Sequence, residues 1–229
     1  MFLRKLAKRL VVYENPDSVG SKFRTKRIAP LLSMFGDVYE KYGCVKIIDM
    51  GGTRTYWNII PDEILSKFKV HITLVNLPGS VRETGDERFD YLEGDCRDLS
   101  FIEGNAFHIA HSNSVIEHVG DWEGMIRFAR EVARVAPAYF VQTPNFWFPV
   151  EPHCMMPFFH WLPRQMRIFL IRKLNVGNWS RQNSVDSAVR AIDSAQLLNK
   201  IMFAELFKDA SHLTEKFLLM PKSLIAVKK

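Results

Sequence analysis

Clusters of glycine and short polar side chains recur in the middle of the sequence, and together they could hold a small ligand. They are Asp49 to Thr53, Asn76 with Leu77, Gly94 to Asp98, His111 to Ser114, and Gln142 to Asn145. Glycine permits a sharp turn and a close backbone approach to a ligand. Carboxylate and amide groups hydrogen-bond hydroxyls and amines. These residue types therefore predict a ligand site, provided that the fold brings the clusters together.

Short apolar runs precede the clusters and predict the elements that position them. Strands are expected at Val45–Met50, Val70–Val75, Phe89–Leu92, Phe107–His111 and Ala138–Gln142. Such runs are typical of strands buried on both faces of a parallel sheet. Helical patterns lie between them at Pro61–Phe68 and Trp122–Val135, with Asp121 as an N-cap. The alternation predicts an α/β fold, and ligands bind at the carboxyl ends of its strands.

The two ends of the chain and one internal segment depart from this alternation. Strands at Lys216–Met220 and Ser223–Val227 predict a hairpin that turns at Pro221 and Lys222 and gives the sheet an antiparallel edge. Residues 1–44 are expected to form an N-terminal helical cap, with Ile28–Tyr42 its clearest helix. The aromatic-rich segment 146–181 is expected to form a lid within a main domain of residues 45–229.

The motifs IIDMGG, EGDCRDL and HSNSVIEHV, followed by an E-x-x-R-V helix, resemble those of class I S-adenosylmethionine-dependent methyltransferases. The small-molecule, methyltransferase type 11-like branch of that family is the most similar. The resemblance covers roughly residues 45–145. It implies a Rossmann-like, doubly wound and mostly parallel seven-stranded sheet. It also implies that the cofactor is S-adenosylmethionine and that the protein transfers a methyl group by in-line displacement.

The resemblance assigns roles to ten cofactor-binding residues. They are Asp49, Gly51, Gly52, Thr53, Asn76, Leu77, Asp95, Cys96, Ser112 and Asn113. The loop after the first strand would wrap the methionine part of the cofactor, and Asn76 would bond the ribose hydroxyls. Asp95 would meet the adenine amine, with Cys96 beside the ring. The turn after the fourth strand would lie near the amino-acid end of the cofactor.

Two departures from the family pattern favour weaker cofactor binding. Thr53 and Thr55 replace glycines of the first loop, and Asn76 replaces the acid that normally bonds the ribose. An amide makes weaker hydrogen bonds than an ionised carboxylate. A catalytically degenerate cofactor-binding or membrane-peripheral protein of the same fold is therefore the alternative function.

His153 and His118 are the candidate catalytic residues. A hydroxyl or amine acceptor needs a base for its proton, and His153 follows the fifth strand, where the acceptor site is expected. His118 could equally cap or pack a helix, and Glu151 is a further candidate base. The acceptor is expected to be a small molecule or to be linked to a glycan or lipid. Two basic stretches, at residues 1–29 and 164–181, suit an acceptor with an apolar body and an anionic group.

Other functions fit the sequence less well. The loop G-G-T-R-T-Y does not match the dinucleotide-binding pattern G-x-G-x-x-G. The histidines show no HExxH-like spacing, so no metal site is predicted. The segment Thr143 to Phe146 lacks the tetrapeptide typical of nucleic-acid methyltransferases, and no nucleic-acid partner is expected.

Composition and charge bound the remaining possibilities. The 229 residues are 47% hydrophobic and 24% charged, which excludes wholesale disorder. Cys44, Cys96 and Cys154 form no disulfide framework, so a reducing, cytoplasmic compartment is expected. Residues 1–29 carry eight basic and two acidic side chains, an excess equal to the net charge of +6.

Residues 2–11 could form a basic amphipathic helix that contacts a membrane, packs on its own domain or frays. The oligomeric state stays open.

Overall fold

Seven strands form the central sheet of the protein. The structure is a computed structural model, and it describes residues 27–79 and 86–229. Its strands are β1 (Val45–Met50), β2 (Val70–Asn76), β3 (Phe89–Glu93), β4 (Ile109–Asn113), β5 (Ala138–Pro144), β6 (Val150–Glu151), β7 (Met156–Pro157), β8 (Ser211–Phe217) and β9 (Met220–Lys228). The sheet order is β3-β2-β1-β4-β5-β9-β8, parallel except for β9 and β8. The predicted fold class is therefore confirmed.

Helices cover both faces of this sheet. They are α1 (Ala29–Tyr42), α2 (Arg54–Trp57), α3 (Asp62–Lys67), α4 (Trp122–Val135), α5 (Arg164–Lys173), α6 (Val185–Asp193) and α7 (Lys200–Leu206). On one face, Leu31 of α1 and Trp57 of α2 share a core with Ile47. On the other, Phe128 of α4 and residues of α7 share a core with Ile48. Successive strand residues face opposite sides of a sheet, which explains why the neighbours Ile47 and Ile48 of β1 are buried in different cores.

Local sequence signals set the ends of two helices. Asp121 adopts an extended backbone and its carboxylate accepts a hydrogen bond from the N–H of Gly124 at 2.9 Å, so α4 begins as predicted. Helix α1 ends where Gly43 takes a φ of 71°. Only glycine adopts this left-handed conformation without steric cost. The remainder of the predicted cap, including residues 2–11, lies outside the described residues, and a domain boundary near residue 45 stays a prediction.

The fourth strand is displaced from its predicted position. The sequence predicts Phe107–His111, but β4 spans Ile109–Asn113. Ser112 and Asn113 belong to the strand because they pair in register with β5. Pairing satisfies the backbone of these polar residues, which hydrophobicity alone does not indicate.

The predicted turn of the C-terminal hairpin is wrong. The chain turns at Leu218 and Leu219, whose φ values of 48° and 69° are both left-handed. Two-residue turns of this hand match the twist of antiparallel strands, but they usually contain Asn or Gly. The sequence therefore favours Pro221 and Lys222 instead. Pro221 lies within β9, opposite Lys216 and next to a register shift in β8. Proline is tolerated at such irregularities.

The segment after β5 has a small core of its own. The antiparallel pair β6–β7 and helices α5 and α6 surround it. Its buried members are Cys154, Phe159, Ile171, Val176, Ala188 and Ile192. Because this core joins residues on both sides of Arg181, the predicted lid packs as one unit with α6. Within the described ranges, no helix is long and apolar enough to cross a lipid bilayer.

Candidate functional site

A cavity of about 430 Å³ opens at the carboxyl edge of the sheet. Its walls come from the ends of β1, β2, β3 and β4, which lie side by side in the sheet. The lining residues are Gly51, Asn76, Leu77, Gly94, Asp95, Cys96, Arg97, Ser114, Val115, His118, Val119 and Gly120. Five of the ten predicted cofactor-binding residues are among them: Gly51, Asn76, Leu77, Asp95 and Cys96. The fold therefore brings residues of four of the predicted clusters to one cavity.

Gly51 forms the tightest part of the cavity wall. Its φ is 79°, and its N–H donates a hydrogen bond to the carbonyl of Val75 at 2.8 Å. A Cβ atom at this position would lie 2.6 Å from Cγ1 of Val115. No side chain fits this space, and the backbone conformation is one that other residues avoid. Because Gly51 lines the cavity without a side chain, a ligand can approach its backbone closely.

Asn76 and Asp95 supply polar groups to the same cavity. The amide of Asn76 donates to the carbonyl of Gly52 at 2.9 Å, which fixes the side chain at the end of β2. The carboxylate of Asp95 accepts hydrogen bonds from Arg97, including the backbone N–H at 2.9 Å and Nη2 at 2.5 Å. These bonds hold the pKa of Asp95 below its usual value. Asp95 therefore presents a charged acceptor to the cavity.

Cys96 contributes a neutral wall. Its side chain is buried, and its thiol donates a weak hydrogen bond to the carbonyl of Val75 at 3.7 Å. Burial raises the pKa of this thiol to about 12. A neutral thiol behaves as a small apolar group, so Cys96 suits contact with a ring better than covalent chemistry.

Asp49 is enclosed beneath the glycine loop instead of lining the cavity. Its side chain is fully buried, and its Oδ2 accepts a hydrogen bond from the indole of Trp57 at 2.8 Å. Its Oδ1 lies 2.7 Å from Nδ1 of His111. Nε2 of that histidine lies 3.2 Å from the Tyr56 hydroxyl. A Cβ on Gly52 would lie 1.8 Å from Oδ2, so this glycine is required for the carboxylate to fit. The contacts of Asp49 with Trp57 and His111 therefore support the glycine loop from inside the protein.

Three more predicted cofactor residues lie outside the cavity lining. Thr53 is exposed and precedes α2. The hydroxyl of Ser112 is buried and donates to the carbonyl of Met50 at 2.9 Å. Asn113 has a buried side-chain oxygen without a hydrogen-bond partner. Their cofactor roles, like those of Asp49 and Gly52, stay predictions.

Several lining residues were absent from the predicted set. Ser114 has a φ of 57° and turns the chain toward the cavity, while its hydroxyl donates to Oε1 of Gln142 at 3.1 Å. Arg97, Val115 and Gly120 also form part of the wall. All but Gly120 fall within EGDCRDL or HSNSVIEHV, and Gly120 directly follows the latter. The full extent of the two motifs therefore indicates these lining residues.

The structure brings the two candidate catalytic histidines together. His118 lines the cavity, and its Nε2 lies 3.1 Å from Nε2 of His153. Nδ1 of His118 donates to the carbonyl of Ser194 at 2.7 Å, and Nδ1 of His153 lies 2.6 Å from Oε1 of Glu151. Partial desolvation of its ring against the neighbouring residues lowers the pKa of His118. Burial would lower the pKa of His153, but the carboxylate of Glu151 outweighs it and raises this pKa. Burial would raise the pKa of Glu151, but His153 and the backbone N–H of Cys154 outweigh it and lower this pKa.

Glu117 lies beside this pair. It is buried, and one carboxylate oxygen accepts a hydrogen bond from the hydroxyl of Thr143 at 2.9 Å. The other oxygen, Oε1, is buried without a hydrogen-bond partner. Burial raises the pKa of Glu117 to about 7. In the sequence, Glu117 is distinguished only as part of the motif HSNSVIEHV.

A second cavity of about 490 Å³ lies in the segment after β5. Its walls combine aromatic, basic and acidic side chains: Phe146, Glu151, Phe159, His160, Arg164, Arg167, Trp179, Ile192, Asp193, Ala195, Gln196 and Leu197. Arg164 donates two hydrogen bonds to Asp193, at 2.8 and 2.6 Å. Nε of Arg167 is buried without a partner. Glu151 joins this cavity to the histidine pair and so to the first cavity.

Comparison with known proteins supports the fold. No family model matches the sequence. Two uncharacterized proteins, from two strains of Mycobacterium tuberculosis, are each 34% identical over 64 residues, which is 28% of this chain and 22% of the relative. The crystal structure of human N-acetylserotonin methyltransferase in complex with S-adenosylmethionine is similar at a TM-score of 0.52 and 13% identity.

That match covers 99% of this chain and 55% of the human protein. A second similar structure is a SAM-dependent methyltransferase from Methanosarcina mazei, with a TM-score of 0.48 and 14% identity over 83% of this chain and 96% of that one. This chain therefore spans less than a quarter of the length of its curated relatives and about half of the human enzyme. The likeness to the human protein shows that this chain has the Rossmann-like fold of S-adenosylmethionine-dependent methyltransferases.

Proposed function

We propose that the protein is an S-adenosylmethionine-dependent methyltransferase whose cofactor binds in the first cavity. One observation carries the proposal. Residues predicted separately, after three different strands, line a single cavity at the carboxyl edge of the sheet. Its volume of about 430 Å³ lies within the range of about 300–1,000 Å³ found for small-molecule sites.

The residues present suit the cofactor. Gly51 would let the methionine part approach the backbone, and a side chain there would collide with Val115 of the same cavity wall. Asn76 would bond the ribose hydroxyls, and the charged carboxylate of Asp95 would accept a hydrogen bond from the adenine amine. The neutral thiol of Cys96 would lie beside the ring. When bound, S-adenosylmethionine supplies a methyl group already activated on a sulfonium, so transfer depends mainly on positioning.

The second cavity is the proposed acceptor site. Phe146, Phe159 and Trp179 provide apolar walls, while Arg164 and Arg167 provide positive charge. Such a site suits an acceptor with an apolar body and an anionic group, either a small molecule or the end of a glycan- or lipid-linked one. In the described structure, the segment predicted as a lid contributes much of this wall.

The histidine pair stands where cofactor and acceptor would meet. His118 belongs to the first cavity, and Glu151, which holds His153, belongs to the second. We assign both histidines to the reaction, next to the acceptor group that loses its proton. Glu151 and the carbonyl of Ser194 fix the orientation of the two rings.

Calorimetry with S-adenosylmethionine and with its demethylated product tests the cofactor assignment. We expect dissociation constants in the micromolar range, typical of metabolite sites. Thermal stabilisation should follow ligand linkage and reach about 2.7 kcal/mol at a hundredfold excess over the dissociation constant. If saturating cofactor gives neither heat nor stabilisation, the proposal is wrong.

The acceptor assignment is tested by methyl transfer from labelled cofactor to a panel of aromatic acids, glycans and lipid-linked compounds. We expect His153→Ala to keep cofactor affinity and to lose transfer. Cofactor binding without transfer to any member of a broad panel would favour the degenerate, cofactor-binding alternative.

A further inference from the structure

We propose that Glu117, His118 and His153 form a binding site for one divalent transition-metal ion. The ligand atoms that these three side chains offer all lie within 4.8 Å of one another. The histidine spacing predicts no metal site, and His153 lies 35 residues after His118 along the chain. Folding of the segment after β5 brings His153 next to Glu117 and His118.

The two histidine rings are oriented for a shared ligand. Nδ1 of His118 is bound to the carbonyl of Ser194, and Nδ1 of His153 is bound to Glu151. The remaining Nε2 atoms face each other across 3.1 Å. Two nitrogens in this position must share either a proton or a cation. At an ordinary metal–nitrogen distance of about 2.1 Å, a separation of 3.1 Å corresponds to an angle of roughly 95° at the ion, suited to adjacent octahedral ligands.

Glu117 completes the set with a group that otherwise has no partner. The residue is 1% exposed, and its Oε1 is buried without a hydrogen bond. An unsatisfied buried carboxylate oxygen is costly, and native proteins rarely retain one without a reason. Its other oxygen is held by the hydroxyl of Thr143. Two histidines and one carboxylate with open coordination positions are a known ligand set for divalent iron and related ions.

The surrounding groups match those of established metal sites. Metal-bound histidines usually donate their second N–H to a carboxylate or a backbone carbonyl, which fixes the ring and raises its basicity. Glu151 and the Ser194 carbonyl occupy these two positions here. His118 is exposed and His153 is partly exposed, so an ion can reach the site from solvent.

An ion at this site would connect the two cavities. Glu117 and His118 follow β4 at the edge of the sheet, while His153 lies between β6 and β7. Three protein ligands leave coordination positions open, as in catalytic metal sites. On the basis of the proposed function, an acceptor hydroxyl bound at an open position would lose its proton more easily.

Titration of chelator-treated protein with Zn²⁺ in a calorimeter, and with Co²⁺ followed by visible absorption, tests the site without any cofactor. We expect one ion per chain. His153→Ala and Glu117→Gln should each weaken binding by about a hundredfold or more, and Glu151→Gln by about 10–100-fold. Glu117→Gln keeps an oxygen that can accept the hydrogen bond from Thr143, so we expect this variant to fold. It therefore tests the site even if His153→Ala does not fold.

His71→Ala is the matched control, because Nε2 of His71 lies 2.7 Å from Oδ2 of Asp90 in an exposed histidine–carboxylate pair. It should keep full Zn²⁺ affinity. The proposal is overturned if the parent binds no ion, or if His153→Ala and Glu117→Gln bind Zn²⁺ as tightly as the parent does. Calorimetry with S-adenosylmethionine on the same samples separates the two proposals. A parent chain that binds the cofactor but no metal ion refutes the metal site alone, and a parent chain that binds the ion but no cofactor refutes only the proposed function.

Discussion

Gly51→Ala is expected to destabilise the protein by a combination of two effects. The residue has a φ of 79°, where an alanine costs roughly 1–2 kcal/mol. The new Cβ would also lie 2.6 Å from Cγ1 and 2.8 Å from Cγ2 of Val115. Overpacking of this kind costs about 1–3 kcal/mol. The free energy of unfolding should therefore fall by about 2–5 kcal/mol.

A second substitution separates the steric effect from the backbone effect. Val115→Ala removes both Cγ atoms and leaves Cβ, 3.2 Å from the added methyl group. In the double variant, the clash is largely relieved while the cost of the positive φ stays. The coupling free energy between the two sites should be about 1–3 kcal/mol in favour of the pair. Urea denaturation of all four proteins, with S-adenosylmethionine titrations alongside, measures it.

A glycine-to-alanine substitution within a helix should instead increase the free energy of unfolding. Gly36 lies within α1, and a Cβ there meets nothing within 4 Å. Gly36→Ala should raise the free energy of unfolding by about 0.5–1 kcal/mol. The reasoning is refuted if Gly51→Ala is as stable as the parent, or if Val115→Ala and Gly51→Ala are simply additive.

Three further outcomes are expected. Asp95→Ala should weaken binding of S-adenosylmethionine about tenfold or more by calorimetry, because it removes a hydrogen bond to a charged group; unchanged affinity would move the adenine site elsewhere. Trp57→Phe should lower the free energy of unfolding in urea by about 1.5–3 kcal/mol, because it deprives the buried carboxylate at the end of β1 of its indole donor; a neutral result would contradict that bond. Burial raises the pKa of the Cys96 and Cys154 thiols to about 12, so a thiol reagent at pH 8 should label only Cys44 in the native chain and all three after denaturation. Rapid labelling of two or more thiols in the native chain would contradict the burial of Cys96 and Cys154.

The sequence by itself determined the elements whose signals are local. Strand Val45–Met50 and helix Trp122–Val135 have the bounds that were predicted. A continuous apolar run and an aspartate N-cap act within a few residues, so they can be read without the fold. The parallel topology then placed the strand ends at one edge, which is why Gly51 and Asp95 could be assigned to one cavity.

The tertiary structure decided how individual side chains are used. The cofactor role of Asp49 stays a prediction, and only the tertiary structure shows that its two oxygens contact Trp57 and His111, whose positions depend on how α2 and β4 pack. The hairpin turn falls at two leucines because pairing with β5 sets the register of β9, and no local preference indicates it.

The juxtaposition of Glu117, His118 and His153 is likewise a product of long-range folding. His153 lies on a segment with a small core of its own, and only the docking of that segment beside β4 and β5 gives the three side chains a common centre. Periodicity and motif spacing describe neighbours along the chain. Distances across it depend on packing, because loop paths and side-chain orientations are set by contacts between residues far apart in sequence.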